Sequence, residues 1–174
     1  MACSGDSVLT SYEGSNDDSN NNGTSSPTQG QSFQITTNAT ICAFSFYGGR
    51  GTDGTQPGTY QVEIKSGGFY GTVLATTGSL STSGMNLYTS PAWNKVEFTS
   101  PIALMAATTY TIVITSLTGS TNDVTRMYLD NTSASYSGGN FIKGGVDYPT
   151  YDLNFRIHGV NIPVGANANF LAFL

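Results

Sequence analysis

Residues 109–116 read Thr109-Tyr110-Thr111-Ile112-Val113-Ile114-Thr115-Ser116. In an extended chain successive side chains point to opposite faces. Tyr110, Ile112 and Ile114 then share one face, and Thr111, Val113 and Thr115 the other. β-Branched and aromatic residues of this kind fit a pleated, half-buried surface. The apolar residues do not recur at the 3.6-residue period of a helix. This stretch is a strand, and its pattern is repeated along the chain.

Outward from it, Thr59 to Ser66 places Tyr60, Val62 and Ile64 on one face. Asp152 to His158 places Leu153, Phe155 and Ile157 on one face, with Asn154, Arg156 and His158 opposite. Ser32 to Thr37 sets Phe33 beside Ile35. Ala39 to Tyr47 divides into Ile41, Ala43, Ser45 and Tyr47 against Cys42, Phe44 and Phe46. Shorter strands are expected at Thr72 to Thr77, Lys95 to Thr99 and Arg126 to Asp130. Gly-rich turns separate them, such as Gly48 to Gly58 and Gly67-Gly68. The pattern predicts an all-β fold: an antiparallel β-sandwich of jelly-roll type with about eight or nine strands. No stretch of 11 or more residues has a helical period, and there is no fixed repeat. Residues 1–29 read as a polar N-terminal arm or loop, with one strand near residues 7–12. Residues 30–159 form the sandwich, and 160–174 an apolar C-terminal tail.

Composition agrees with this. The 174 residues include 20 Ser, 24 Thr, 14 Asn and 21 Gly, while only 10% are charged. Helical bundles need Ala, Glu, Lys, Leu and Arg in quantity. Six Lys and Arg against eleven Asp and Glu leave a formal net charge of −5, which gives nucleic acid no basic stripe to bind. No 18-residue apolar run exists, so no membrane span is expected. The start, Met-Ala-Cys-Ser-Gly-Asp, has neither a basic n-region nor an apolar h-region, which predicts synthesis in a cytoplasm without a secretion signal. Cys3 and Cys42 could pair. A cytosolic origin favours instead a free Cys3 and a Cys42 buried as a small hydrophobe.

Chemistry-bearing motifs are scarce. His158 is the single histidine. Nothing resembles the nucleophile elbow a Ser-His-Asp triad would use, and no His and Cys spacing suits zinc. Gly48-Gly49-Arg50-Gly51 has no helix after it and reads as a turn. Glu63 and Glu97 lie in strands but alternate with apolar residues, so they face solvent rather than form a hydrolase pair. The expectation is a protein that is not an enzyme and has no cofactor. Calcium is the one metal to consider, with loop oxygens from Asp123, Asp130, Asp147 and Asp152, although no EF-hand order is present. Trp93, Tyr70, Tyr88, Tyr136, Tyr148 and Tyr151 are candidates for stacking on glycans, because their rings join an apolar face to a polar edge. The alternative is that they cap the sandwich ends. The tail residues Phe170, Leu171, Phe173 and Leu174 are candidates for docking on another subunit or folding back on the sandwich.

The order of these features resembles a broad family of bacterial and phage jelly-roll domains similar to carbohydrate-binding modules, found in surface-anchored and virion proteins. The resemblance rests on Gly30-Gln31-Ser32-Phe33-Gln34-Ile35, Gly58-Thr59-Tyr60-Gln61-Val62-Glu63-Ile64 and Thr72-Val73-Leu74-Ala75-Thr76-Thr77. It continues through Val96 to Leu104, Thr108 to Ile114 and Asp152-Leu153-Asn154-Phe155-Arg156-Ile157-His158-Gly159. It covers residues 30–159 and carries no catalytic residue. With the missing signal and the apolar tail, it implies a virion structural protein: a phage decoration, head-fibre or tail-associated subunit. Its partners would be other virion subunits or copies of itself, with host-surface glycans as a further contact. The alternative is a carbohydrate-binding or adhesion module of a bacterial surface protein, placed at the cell surface or outside the cell.

Overall fold

A computed structural model describes residues 3–24, 28–52, 57–121 and 124–162. These form strands β1 (Ser7–Tyr12), β2 (Asp18–Asn22), β3 (Thr28–Phe33), β4 (Ala39–Arg50), β5 (Thr59–Ser66), β6 (Val73–Thr76) and β7 (Leu80–Ser81). They continue with β8 (Ala92–Leu104), β9 (Tyr110–Thr118), β10 (Thr125–Asp130), β11 (Phe141–Lys143), β12 (Val146–Tyr148), β13 (Asp152–Leu153) and β14 (Phe155–Asn161). One 3-10 turn spans Thr82–Gly84.

The strands build two seven-stranded antiparallel sheets. The first runs β1-β14-β4-β10-β13, with β2 on β10 and β8 on β4. The second runs β12-β11-β3-β9-β5-β6, with β7 on β5. The chain passes repeatedly from one sheet to the other, as a jelly-roll sandwich requires. The alternating apolar residues meet between the sheets. Phe33, Phe44, Phe46, Phe98, Ile64, Ile112, Ile114 and Ile157 are buried there. Gln31 ties the layers together: its amide donates to Asp152 Oδ1 at 3.0 Å, and its Oε1 accepts the Leu153 N–H at 2.8 Å.

Three features of the strands differ from the sequence expectation. Ile41 does not share a face with Ala43. β4 bulges at Cys42, where the registers with β8 and β14 both shift. The bulge turns Ile41 inward beside Phe44 and Phe46. The polar stretch read as an arm supplies β2, which pairs Asp18–Asn22 with Thr125–Leu129. Its Asn22 is buried and donates to the Ile114 carbonyl of the opposite sheet, so side-chain amides replace the apolar alternation. β8 runs through Pro101 instead of stopping before it. Pro101 lies in the bulged part of a strand whose one pairing partner is β4, where a missing N–H leaves no ladder bond unmade. Gly144 and Gly145, at φ 57° and 84°, close the β11–β12 hairpin, a stretch where the sequence expectation placed no strand. Positive φ at both central residues is what such two-residue turns need.

Cys3 and Cys42 form a disulfide, with Cα atoms 5.8 Å apart. This corrects the expectation of two free thiols. The sequence showed an apolar run around Cys42 but not that the residues before β1 return across the sheet to meet it.

Candidate functional site

The outer face of the first sheet carries a row of aromatic side chains. Tyr47 points outward, opposite to Phe46, and Trp93 of β8 is its cross-strand partner. Past Gly48, β10 becomes the neighbour of β4, which brings Tyr128 to the other side of Tyr47. The ring centroids are 5.5 Å apart for Tyr47–Trp93 and 5.8 Å for Tyr47–Tyr128. These tilted geometries are favourable for aromatic pairs. Tyr88 joins from the loop before β8, whose carbonyl accepts the Tyr128 hydroxyl at 3.0 Å. That loop lies directly on Gly49. A β-carbon there would fall 2.7 Å from the Asn86 oxygen and the Tyr88 nitrogen, so only glycine lets the loop cross the sheet.

Two guanidinium groups flank the row. Arg156 of β14 lies 3.8 Å above the Trp93 ring, and Arg126 of β10 lies 4.0 Å above the Tyr88 ring. Both are cation–π contacts. Arg156 is also held by Glu13 through two bonds of 2.8 Å, from Nε and Nη2. Hydrogen bonding to Arg156 lowers the Glu13 carboxyl below its ordinary range, and Glu13 raises Arg156 in turn. Arg126 donates through Nε to the side-chain oxygen of Asn21, a neutral acceptor.

The remaining half of the same face is covered. Residues 3–6 cross it from the edge at β1. The disulfide pins them to β4, and Asp6 Oδ2 meets Lys95 Nζ of β8 at 2.7 Å. Beneath lies His158, with Nε2 2.7 Å from Ser45 Oγ. Burial, then Lys95, lowers the pKa of His158, against a smaller opposite effect of Asp6. Ser45 is buried. The pair is a packed hydrogen bond rather than an open nucleophile beside its base.

The structure separates the aromatic residues singled out in the sequence. Trp93 and Tyr88 lie on this outer face. Tyr148 and Tyr151 stack at 5.5 Å beside Phe141, at the far edge of the second sheet. Tyr70, 82% exposed, rests on Gly145 of the β11–β12 turn. Tyr136 is a packing residue: its ring meets Phe155 at 5.2 Å, and its hydroxyl reaches the Gln34 backbone and Thr10. Tyr47, Tyr128, Arg126, Arg156 and Glu13 were not singled out. Tyr47 and Tyr128 read as ordinary outward residues of separate strands, and only the pairing of β4 with β10 joins them.

Of the carboxylates considered for calcium, Asp130 and Asp152 are cross-strand partners and both are buried. Protein donors occupy them. Asp130 accepts from the Tyr12 hydroxyl at 2.8 Å and from the N–H groups of Ser133 and Thr132 at 2.9 and 3.1 Å. Asp152 accepts from Gln31 and from the Tyr136 N–H. Burial alone would raise the Asp130 carboxyl, but these bonds hold it well below its ordinary range. At Asp152 burial prevails and the carboxyl is raised. Asp147 is exposed on β12, in the other sheet. Among the described residues no three acidic, His or Cys side chains gather as a metal site. Asp123 and the tail residues Phe170, Leu171, Phe173 and Leu174 lie outside the described residues. No helix among the described residues is long and apolar enough to cross a membrane.

The family model described as a domain of unknown function, DUF4082, matches residues 13–153. No curated protein matches the chain.

Proposed function

We propose that this chain, which belongs to the DUF4082 family, is a non-enzymatic binding domain that takes saccharides on the outer face of its first sheet. The observation that carries the proposal is the row Trp93–Tyr47–Tyr128, laid across three neighbouring strands. Pyranose rings present apolar C–H faces rimmed by hydroxyls, and aromatic rings with polar edges are complementary to them. The row stands on a rigid sheet, so little ordering accompanies binding. The disulfide supports a place of work in an oxidising medium, which a cell surface and a released virion both offer. A glycan array on the full chain tests the proposal. Binding is expected, and Trp93→Ala or Tyr47→Ala should weaken it at least tenfold while the melting transition stays cooperative. An array with no binding, or binding indifferent to both substitutions, removes the proposal.

A second reading, a phage decoration, head-fibre or tail-associated subunit, is supported by one observation. The run Phe170-Leu171-Ala172-Phe173-Leu174 has four large apolar residues in five, and contiguous apolar surface marks interfaces. Removal of residues 165–174 should leave a folded monomer that no longer associates with itself or with particles. Association that persists unchanged would discard this reading.

A further inference from the structure

We infer that the saccharide bound by this face is an acidic one, an oligosaccharide whose uronate carboxylates are spaced along its chain and meet Arg126 and Arg156. The inference rests on the proposal that the face binds saccharides, and names their class.

Three observations carry it. The first is placement. The cross-strand partner of Arg156 is Ser45, and that of Arg126 is Gly49. Their backbones therefore stand four residues apart along β4, about 13 Å at the rise of a strand, and their guanidiniums lie over Trp93, at one end of the aromatic row, and over Tyr88, which is bonded to Tyr128 at the other. An aromatic row with a cation at each end suits an elongated ligand with sugar faces in the middle and charges set apart.

The second is the state of the cations. The chain has six Lys and Arg. Lys65 and Lys95 are neutralised by Glu63 and Asp6. Arg126 sits over Tyr88 and bonds a neutral amide, and among the described residues no carboxylate pairs with it. Lys143 likewise bonds a neutral amide, that of Asn20, but it belongs to the second sheet, so Arg126 is the uncompensated cation beside the aromatic row.

The third is the exchangeability of the Arg156–Glu13 pair. The side chains are 29% and 46% exposed. Exposed ion pairs contribute little net stability. A ligand carboxylate can accept the same two parallel N–H bonds in place of Glu13, because the planar fork of guanidinium fits any carboxylate. Both guanidiniums are already oriented by the rings beneath them, so binding has little side-chain order to impose. A nucleic-acid polyanion would not serve, because two cations on an acidic chain cannot hold a continuous phosphate backbone.

The test uses oligosaccharides of galacturonate, mannuronate and glucuronate, each beside its carboxyl-reduced form, which keeps the sugar chain and loses the charge. Titration calorimetry on the full chain should show at least one acidic oligomer binding about tenfold or more tightly than its reduced form, the worth of a hydrogen bond to a charged group. Added salt should narrow that gap. Arg126→Gln and Arg156→Gln should each remove most of the gap between the acidic oligomer and its reduced form. Glu13→Gln should tighten the acidic oligomer, since it frees the Arg156 fork. Thermal melts identify any variant that fails to fold, and for such a position methionine, which keeps the apolar stem and loses the charge, takes the place of glutamine. If reduced oligomers bind as tightly as their acidic forms, the inference is overturned and the saccharide proposal stands. If no saccharide binds at all, both fall.

Discussion

At the residue scale, the buried carboxylates show how one composition supports opposite electrostatics. Asp130 and Asp152 face each other across β10 and β13. Asp130 is lowered because several N–H and O–H donors converge on it; Asp152 is raised because burial outweighs its two donors. The signs follow. A lowered carboxyl contributes stability above its unfolded pKa, roughly 3.9, and that contribution is lost as pH falls below it. A raised carboxyl acts in the opposite sense: it costs stability as pH rises through that region. Asp130→Asn can keep an amide oxygen on the two backbone N–H groups but removes the charge they stabilise and puts an NH2 where the Tyr12 hydroxyl donates, so it should lower stability at pH 7 by about 2 kcal/mol. It should also flatten the loss of melting temperature between pH 5 and pH 2. A variant with the wild-type acid slope would show that Asp130 is not a source of it. Arg156 teaches the same lesson on the surface. In the sequence it is one outward residue beside His158, and nothing local says that Trp93 and Glu13, far apart in the chain, will bracket it.

At the element scale, β4 organises the molecule. Its bulge at Cys42 lets one strand serve two duties, with Ile41, Phe44 and Phe46 in the core and Tyr47 on the outer face. Beyond the bulge Gly48 and Gly49 take over. A β-carbon on Gly48 would lie 2.3 Å from the Arg126 carbonyl, so the approach of β10 depends on it as the Tyr88 loop depends on Gly49. Gly49→Ala should therefore displace residues 86–88 and detach Tyr88 from Arg126, with a smaller effect on the core. The expected result is a loss of saccharide binding several-fold or more, with a melting temperature within a few degrees of wild type. Unaltered binding would mean that Tyr88 adds nothing to the face. The sequence signalled this region only as a glycine-rich turn. It is strand up to Arg50, because β10 on one side and residues 86–88 on the other, through a parallel bridge of Arg50 to Leu87, hold backbone that glycine by itself would leave free.

At the scale of the whole molecule, the N-terminal segment closes the sandwich. The Cys3–Cys42 link spans 39 residues of sequence and fastens residues before β1 onto β4. Closing a loop of that length in the unfolded chain removes entropy worth roughly 2–4 kcal/mol. Reduction, or Cys3→Ser with Cys42→Ser, should lower the melting temperature by about 5–15 °C. The upper aromatic row should keep its ligand affinity below that transition, since Tyr47, Trp93 and Tyr128 pack without the strap. A melt unchanged by reductant would contradict the stabilising role. The fold class was legible in the sequence because alternation of apolar and polar side chains is a local property: β5, β9 and β14 announce their inward faces within seven to nine residues. What only the tertiary structure decided was pairing. The bulge that reverses Ile41, the recruitment of an Asn-rich stretch as β2, the disulfide, and the meeting of Trp93, Tyr47, Tyr128, Arg126 and Arg156 all depend on which strands lie side by side. Those partners are tens of residues apart, and no local pattern encodes the contacts that burial and backbone hydrogen bonding impose between them.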